Sequence, residues 1–217
     1  YGIAGVHCID VAADRAVVHA AKEGLNWVKA KKGTKPWLMI SISDGIDTHF
    51  RKAWFDPNKC PQDCPRPCER ICPAKAITNH KGINLDRCYG CGRCLPACPL
   101  GLIKERNHFL AINEIAPLLS EVQPDAIEIH TAPGRNNAFK KTIKAIHQSK
   151  VPFKRVAVSC GLEGHKIDAK TLAKELWQRH ECLRKYQYKP LWQLDGRPMS
   201  GDVGAGTSKI AVNLWHE

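Results

Sequence analysis

Eight cysteines fall between positions 60 and 98 of the 217-residue chain, and their spacing decides what chemistry they can do. Cys88, Cys91, Cys94 and Cys98 read C-x2-C-x2-C-x3-C, with Pro99 following at once. Three closely spaced thiolates suit three corners of an iron–sulfur cubane, and the fourth crosses to a second cluster, as in bacterial ferredoxins. Gly90 and Gly92 let such a loop coil tightly with its amides toward the sulfides, and Pro99 starts the return segment without competing for them. The first half, Cys60, Cys64, Cys68 and Cys72 before Pro73, carries one extra residue in each of its first two gaps. The expected cofactors are two [4Fe–4S] clusters. One is held by Cys60, Cys64, Cys68 and Cys98, the other by Cys88, Cys91, Cys94 and Cys72. The alternatives are clusters that only brace the fold, and structural zinc, which generally uses paired knuckles rather than a three-cysteine run closed by a distant Cys-Pro. Arg66, Arg70, Lys75, Arg87 and Arg93 lie among the ligands. Positive charge there raises a cluster's potential, and it equally well serves solubility.

Three further cysteines, Cys8, Cys160 and Cys182, stand outside this run. Crowded CxxC spacing favours metal ligation in a reducing compartment over a secreted disulfide scaffold, so a cytoplasmic protein is expected. Cys8 and Cys160 fall in strands and are expected to fill core volume as small hydrophobes, with a reactive or ligand-facing thiol as the alternative for Cys160, which ends its strand just before Gly161.

A second set of chemistry-bearing residues follows from strand alternation. Along Ala126–Thr131, Ile127 and Ile129 share one face, which suits helix packing, while Glu128 and His130 share the other. Asp10, Ser41, Ser43, Ser159, Gln193 and Asp195 fall similarly on other strands, toward the ends where α/β ligand sites form. Glu128, His130 and Asp195 are therefore candidate ligand-binding residues. The loop after Asp195 ends in Gly204, Gly206 and Thr207 at a helix start. Exposed amides there suit a phosphate, and a plain glycine-rich helix cap fits as well. No nucleophile–base pair or paired-carboxylate arrangement is recognisable in sequence order. Catalytic residues stay unassigned, and a redox sensor or electron carrier is favoured over an enzyme with its own substrate.

Elements that position these residues alternate between strand and helix periodicity, the signature of βα units around a parallel sheet. Strands are expected at Gly5–Val11, Trp37–Ser43, Ala126–Thr131, Arg155–Cys160 and Pro190–Asp195, and amphipathic helices at Ala13–Val28, Asn136–Gln148 and Ala169–Lys185. After the second strand the rhythm gives way to Cys, Pro, Arg and Gly and resumes at Glu114, so the cysteine module is an insert. The expected division is 1–54 and 113–217 for an α/β domain, open or TIM-barrel-like, and 55–112 for a two-[4Fe–4S] ferredoxin-like domain. Within the insert Cys68, Cys72, Pro73, Ile77 and Ile83 map 26 positions on to Cys94, Cys98, Pro99, Ile103 and Phe109. Two related halves are expected, each a ligand loop followed by a β-hairpin. Tyr1 in place of Met, and a start that reads as a helix end leading into a strand, suggest that part of a natural N-terminus is missing.

The formal charge is +12, and two oxidised cubanes on eight thiolates lower it to about +8. Lys29, Lys31, Lys32 and Lys35, with Lys140, Lys141, Lys144 and Lys150, suit an acidic electron carrier or an anionic surface, and equally suit solvated helix faces. No aromatic-interleaved basic motif supports nucleic-acid binding. No apolar run is long enough to span a membrane, although peripheral contact with one stays compatible.

Taken together, GVHCIDVAAD at 5–14, HFRKAWFDP at 49–57, CPQDCPRPCERICPAKAI at 60–77, CYGCGRCLPACP at 88–99, EIHTAPGRNN at 128–137 and WQLDGRPMSGDVGAGT at 192–207 resemble the cyanobacterial light-dependent-period (LdpA) family. The resemblance spans nearly the whole chain. It implies a cytoplasmic iron–sulfur protein that senses redox state as a proxy for light and feeds the circadian clock, with clock-associated kinases and Kai proteins as partners. It also implies a barrel related to flavin-dependent dehydrogenases, though no motif here indicates a flavin. The alternative functions are an electron-transfer subunit, a flavin-linked iron–sulfur oxidoreductase, or a component of a photosynthetic or respiratory complex.

Overall fold

The computed structural model describes residues 1–45, 50–78, 81–162, 167–195 and 207–216. In chain order the elements are β1 (Cys8–Ala12), α1 (Arg15–Lys32), β2 (Trp37–Ser43), β3 (Arg51–Trp54), α2 (Pro67–Ile71), β4 (Ile77–Thr78), β5 (Gly82–Ile83), α3 (Cys94–Ala97), β6 (Lys104–Asn107), α4 (Ile112–Val122), β7 (Ala126–His130), α5 (Asn136–Gln148), β8 (Arg155–Gly161), α6 (Ala169–Lys185), β9 (Pro190–Asp195) and α7 (Thr207–His216). All five expected core strands form.

These five strands pair in the order β1-β2-β7-β8-β9, every pair parallel. Right-handed crossovers between strands laid down in sequence order put every connecting helix on the same side. That side is the core: Ile40, Ile42, Ile127, Ile129, Val156 and Val158 are buried on it with Phe139, Ile143, Ile146 and Leu183 from the helices. Full burial of each such side chain contributes roughly 1.5–3 kcal/mol. The other face carries no crossover helix. Among the described residues β1 and β9 take no further strand partner, so the sheet is open at both edges.

Local chemistry sets the helix ends. Asp14 Oδ1 accepts from the amides of Ala16 and Val17, so α1 starts at Arg15, two residues later than the periodicity predicts. Gly33, at φ 74°, takes the left-handed conformation that closes the same helix. The first strand starts at Cys8 rather than Gly5, because residues 2–4 form a 3-10 turn capped by Gly5 at φ 92°. Helix α4 was not singled out by periodicity. Pro117 interrupts its pattern, yet the Glu114 carboxylate accepts from the Ala111 amide and Ile115, Leu118, Leu119 and Val122 bury one face.

The insert runs β3-α2-β4 and then β5-α3-β6. Its strands pair antiparallel as β3 with β6 and β4 with β5. The hairpin expected after each ligand loop therefore forms only after the first. The second half ends in β6, whose partner is β3, and Phe109 is exposed in no strand where its counterpart Ile83 lies in β5. Edge pairing between the outer strands of the halves satisfies backbone groups that a second hairpin would otherwise use.

Candidate functional site

In the insert, short helices α2 and α3 begin near Cys68 and Cys94, and both thiols are buried. Cys60, Cys64, Cys68 and Cys98 line one cavity with Phe55, Ile77 and Ile103. Cys72, Cys88, Cys91 and Cys94 line a second with Ala53, Ile83 and Tyr89. In each set three sulfurs come from one half and the fourth from the other. The apolar shells of the two cavities belong to one buried cluster.

Backbone donors reach the crossing thiols. The Ala76 amide donates to Cys72 Sγ at 3.2 Å, and 26 positions on, the Leu102 amide donates to Cys98 Sγ at 3.4 Å. Burial pushes the Cys98 thiol up, but the amides of Leu102, Leu100, Ile103 and Gly101 outweigh it and hold the thiol below its ordinary value. Burial pushes Cys94 up to about 11 and also raises Cys60 and Cys68. A cubane requires four thiolate sulfurs around one volume, and all eight cysteines are free, so the donor sets fit two such groups. Metal binding would hold as thiolates what burial alone keeps protonated.

Gly90, between Cys88 and Cys91, sits at φ 76° with its Cα hydrogens toward β3. A Cβ there would lie 2.3 Å from the Arg51 carbonyl oxygen. The next residue of β3 reaches the other layer: Lys52 Nζ lies 2.5 Å from Asp14 Oδ2, with the side chains 4% and 5% exposed. Lys52 also donates to the Leu85 carbonyl, and His108 Nε2 lies 3.3 Å from the same Asp14 oxygen. Burial, and then the Lys52 ammonium, hold the His108 imidazole below its usual value. Sequence reading missed this triad. Asp14 carries an N-cap signature, but nothing local marks Lys52 as buried.

On the helix-free face of the sheet, the parallel register aligns Ser41 with Glu128 and Ser43 with His130. Ser41 Oγ lies 2.6 Å from each Asp10 carboxylate oxygen and 2.9 Å from Glu128 Oε2. His130 Nε2 is 3.6 Å from Glu128 Oε1. One donor atom each from Asp10, Glu128 and His130 falls within 4.8 Å of the others. Burial first, and the Glu128 charge with it, pushes the Asp10 carboxyl up to about 7 against the Ser41 hydrogen bond. Asp195 does not join this group. It accepts from Ser159 Oγ at 2.7 Å, on the far side of β8. Gly204 and Gly206 lie outside the described residues, and Thr207 opens α7.

Nearer the N-terminal ends of the strands, the same face borders a cavity of about 590 Å³ lined by Cys8, Met39, Ala126 and Leu191 among others. Cys8 is exposed rather than core, because it stands on this open face of edge strand β1. Cys160 and Cys182 are buried, and burial pushes Cys160 up to about 11. Residues of the 128–137 motif make a fixed corner: Thr131 Oγ1 donates to Asp44, Arg135 Nη1 lies 3.4 Å from Asp44 Oδ1, and the Gly134 amide donates to Glu175. The eight surface lysines noted above are all exposed. Among the described residues no helix is long and apolar enough to cross a membrane.

Two family models match, the LdpA Fe-S cluster-binding domain over residues 60–109 and the light dependent period A C-terminal domain over 118–217. Light dependent period A of Synechococcus elongatus is 46% identical over 215 residues, covering 99% of this chain and 59% of that protein. The chain thus spans about three fifths of that relative's length. An uncharacterized ferredoxin of Methanocaldococcus jannaschii is 34% identical over 107 residues, 44% of this chain and 71% of that protein. An uncharacterized protein of Methanothermobacter thermautotrophicus is 38% identical over 60 residues, 28% of this chain and 14% of that protein. No solved structure matches the chain.

Proposed function

Since the chain belongs to the light dependent period A family, we propose that this iron–sulfur protein carries two [4Fe–4S] clusters and acts as a redox sensor feeding a light-dependent clock input. The observation that carries the reading is the division of eight free cysteines between two cavities, each completed by a sulfur from the opposite half. Cys60, Cys64, Cys68 and Cys98 would hold one cluster, and Cys88, Cys91, Cys94 and Cys72 the other. The β3-α2-β4, β5-α3-β6 order fits a bacterial two-cluster ferredoxin module set into a partial barrel, with β3 (Arg51–Trp54) lying just ahead of the expected 55–112. When bound, the clusters supply one-electron chemistry.

The chain's own residues supply the rest. Amides donate to the Cys72 and Cys98 sulfurs and at Cys98 stabilise thiolate charge, apolar side chains exclude water, and Lys52 ties the module to the sheet through Asp14. A sensor also needs a partner that binds its two redox states with different affinity. The clock-associated kinases and Kai proteins that the family resemblance implies are the proposed partners, in the cytoplasm or at the thylakoid surface. The exposed lysines suit an acidic carrier as electron source.

A second reading, an electron-transfer or flavin-linked oxidoreductase, is favoured by one observation, the 590 Å³ cavity on the open sheet face. Anaerobic purification with iron, sulfide and flavin quantified on one sample, followed by an EPR-monitored redox titration, separates the two. About eight irons with two reducible signals and no flavin supports the sensor. Stoichiometric flavin favours the enzyme, and zinc in place of iron sinks both.

A further inference from the structure

Asp10, Glu128 and His130 lie on the open face of the sheet, in a different layer from the cysteine module, and none of them has a role in holding clusters. We infer that they form a binding site for one divalent first-row metal ion, distinct from the iron–sulfur clusters. Two carboxylates and one imidazole are a donor set for a hard to borderline cation such as Mn2+, Fe2+ or Zn2+. Their ligand atoms fall within 4.8 Å of one another, and an ion bound at about 2.1 Å would draw opposed ligands to roughly 4.2 Å. Only a small adjustment separates the present arrangement from a coordination sphere.

The charge balance points the same way. Glu128 is 4% exposed, and two carboxylates share the single proton of the Ser41 hydroxyl. Among the described residues no lysine or arginine pairs with either carboxylate, and the nitrogen within ion-pair distance of Glu128 belongs to the His130 imidazole. A carboxylate as buried as that of Glu128, set beside the exposed carboxylate of Asp10, is costly unless a cation joins it. A divalent ion would supply that charge, with Ser41 left to orient one carboxylate through its hydrogen bond.

Room and one unmet acceptor are present on the same face. The 590 Å³ cavity is lined by Cys8, Met39 and Ala126, which are the strand neighbours of Asp10 and Glu128 on its N-terminal side. It gives water or a small anionic ligand access to the open positions of the ion. In the row of His130 and Ser159, the Gln193 Oε1 atom is buried and has no hydrogen-bond partner among the described residues. A metal-bound water or ligand is the kind of donor such an oxygen takes.

The test uses the holoprotein with its clusters oxidised, and Mn2+ as the probe, followed by loss of the free-ion EPR signal. One Mn2+ per chain is expected, competed by Zn2+, with affinity lowered about tenfold or more in Glu128→Gln and His130→Ala. Iron and sulfide content should stay unchanged in both, which separates this site from the clusters. Asp10→Asn, on the exposed edge strand, is the second variant in case a buried substitution disturbs folding. No Mn2+ binding at millimolar concentration, or equal affinity in the Asp10→Asn protein, overturns the inference.

Discussion

Lys52 and Asp14 form an ion pair across the two layers of the molecule, 2.5 Å apart and almost wholly buried. The ammonium belongs to the strand that backs the Cys88–Cys91 loop, and the carboxylate caps the first helix of the α/β layer. Removing one partner strands the other charge in a dry environment, so Lys52→Met is expected to destabilise the protein by about 3–5 kcal/mol. Denaturant unfolding of the holoprotein checks this. A loss below about 1 kcal/mol would show that the pair is not a structural tie.

The crossing of cysteines between halves gives an opposite pair of outcomes. Cys98→Ser should unload the cavity of Cys60, Cys64 and Cys68, and Cys72→Ser the cavity of Cys88, Cys91 and Cys94. Each variant is expected to keep about four irons, with a different one of two EPR signals surviving. If Cys98→Ser instead removes the signal lost in Cys91→Ser, the division between cavities is wrong.

Gly90→Ala introduces a methyl group 2.3 Å from the Arg51 carbonyl oxygen, at a φ of 76°. The backbone cannot relieve the contact without moving the ligand loop away from β3. Stability should fall by more than about 1 kcal/mol, with iron lost first from the cavity that holds Cys88 and Cys91. Iron release on mild heating, compared with the unsubstituted protein, measures it.

Asp125 supplies a pH test at the sheet's N-terminal end. Partial burial raises its carboxyl, but the hydrogen bond from Lys154 and the Leu38 amide outweigh burial and hold it below the usual carboxylate range. A depressed folded-state value means stability that is present above the unfolded-state value and is lost as pH falls through the folded one. The melting temperature of Asp125→Asn should therefore lie below that of the parent at pH 7, and the two should converge as the pH drops below about 4. A gap that persists unchanged into acid would contradict the assignment.

What could be read in the sequence follows a physical divide. Strand alternation around Ile127 and Ile129 and the Cys88-to-Pro99 spacing are local signals, and local signals located the sheet and the thiol cavities. Asp10, Ser41, Glu128 and His130 were each visible as polar residues on strands. That Asp10 and Glu128 meet on the Ser41 hydroxyl, with His130 beside Glu128, depends on strand order and register, which no single strand encodes. Lys52 illustrates the same limit from the other side, since a lysine flanked by Arg51 and Ala53 gives no sign of burial until Asp14 is brought to it by the fold. Cys8 was misjudged because a strand at a sheet edge exposes what a central strand would bury.

Pairing of β3 with β6 sets Arg51 opposite Asn107, so the chain enters and leaves the cysteine module at neighbouring points. A segment whose two ends meet adds almost no closure penalty to its host beyond that of a short loop. Such a cassette can be gained, lost or exchanged in evolution while the surrounding sheet keeps its register. The host layer and its iron–sulfur guest are therefore free to diverge at different rates, with the Lys52–Asp14 contact as the joint where their histories must agree.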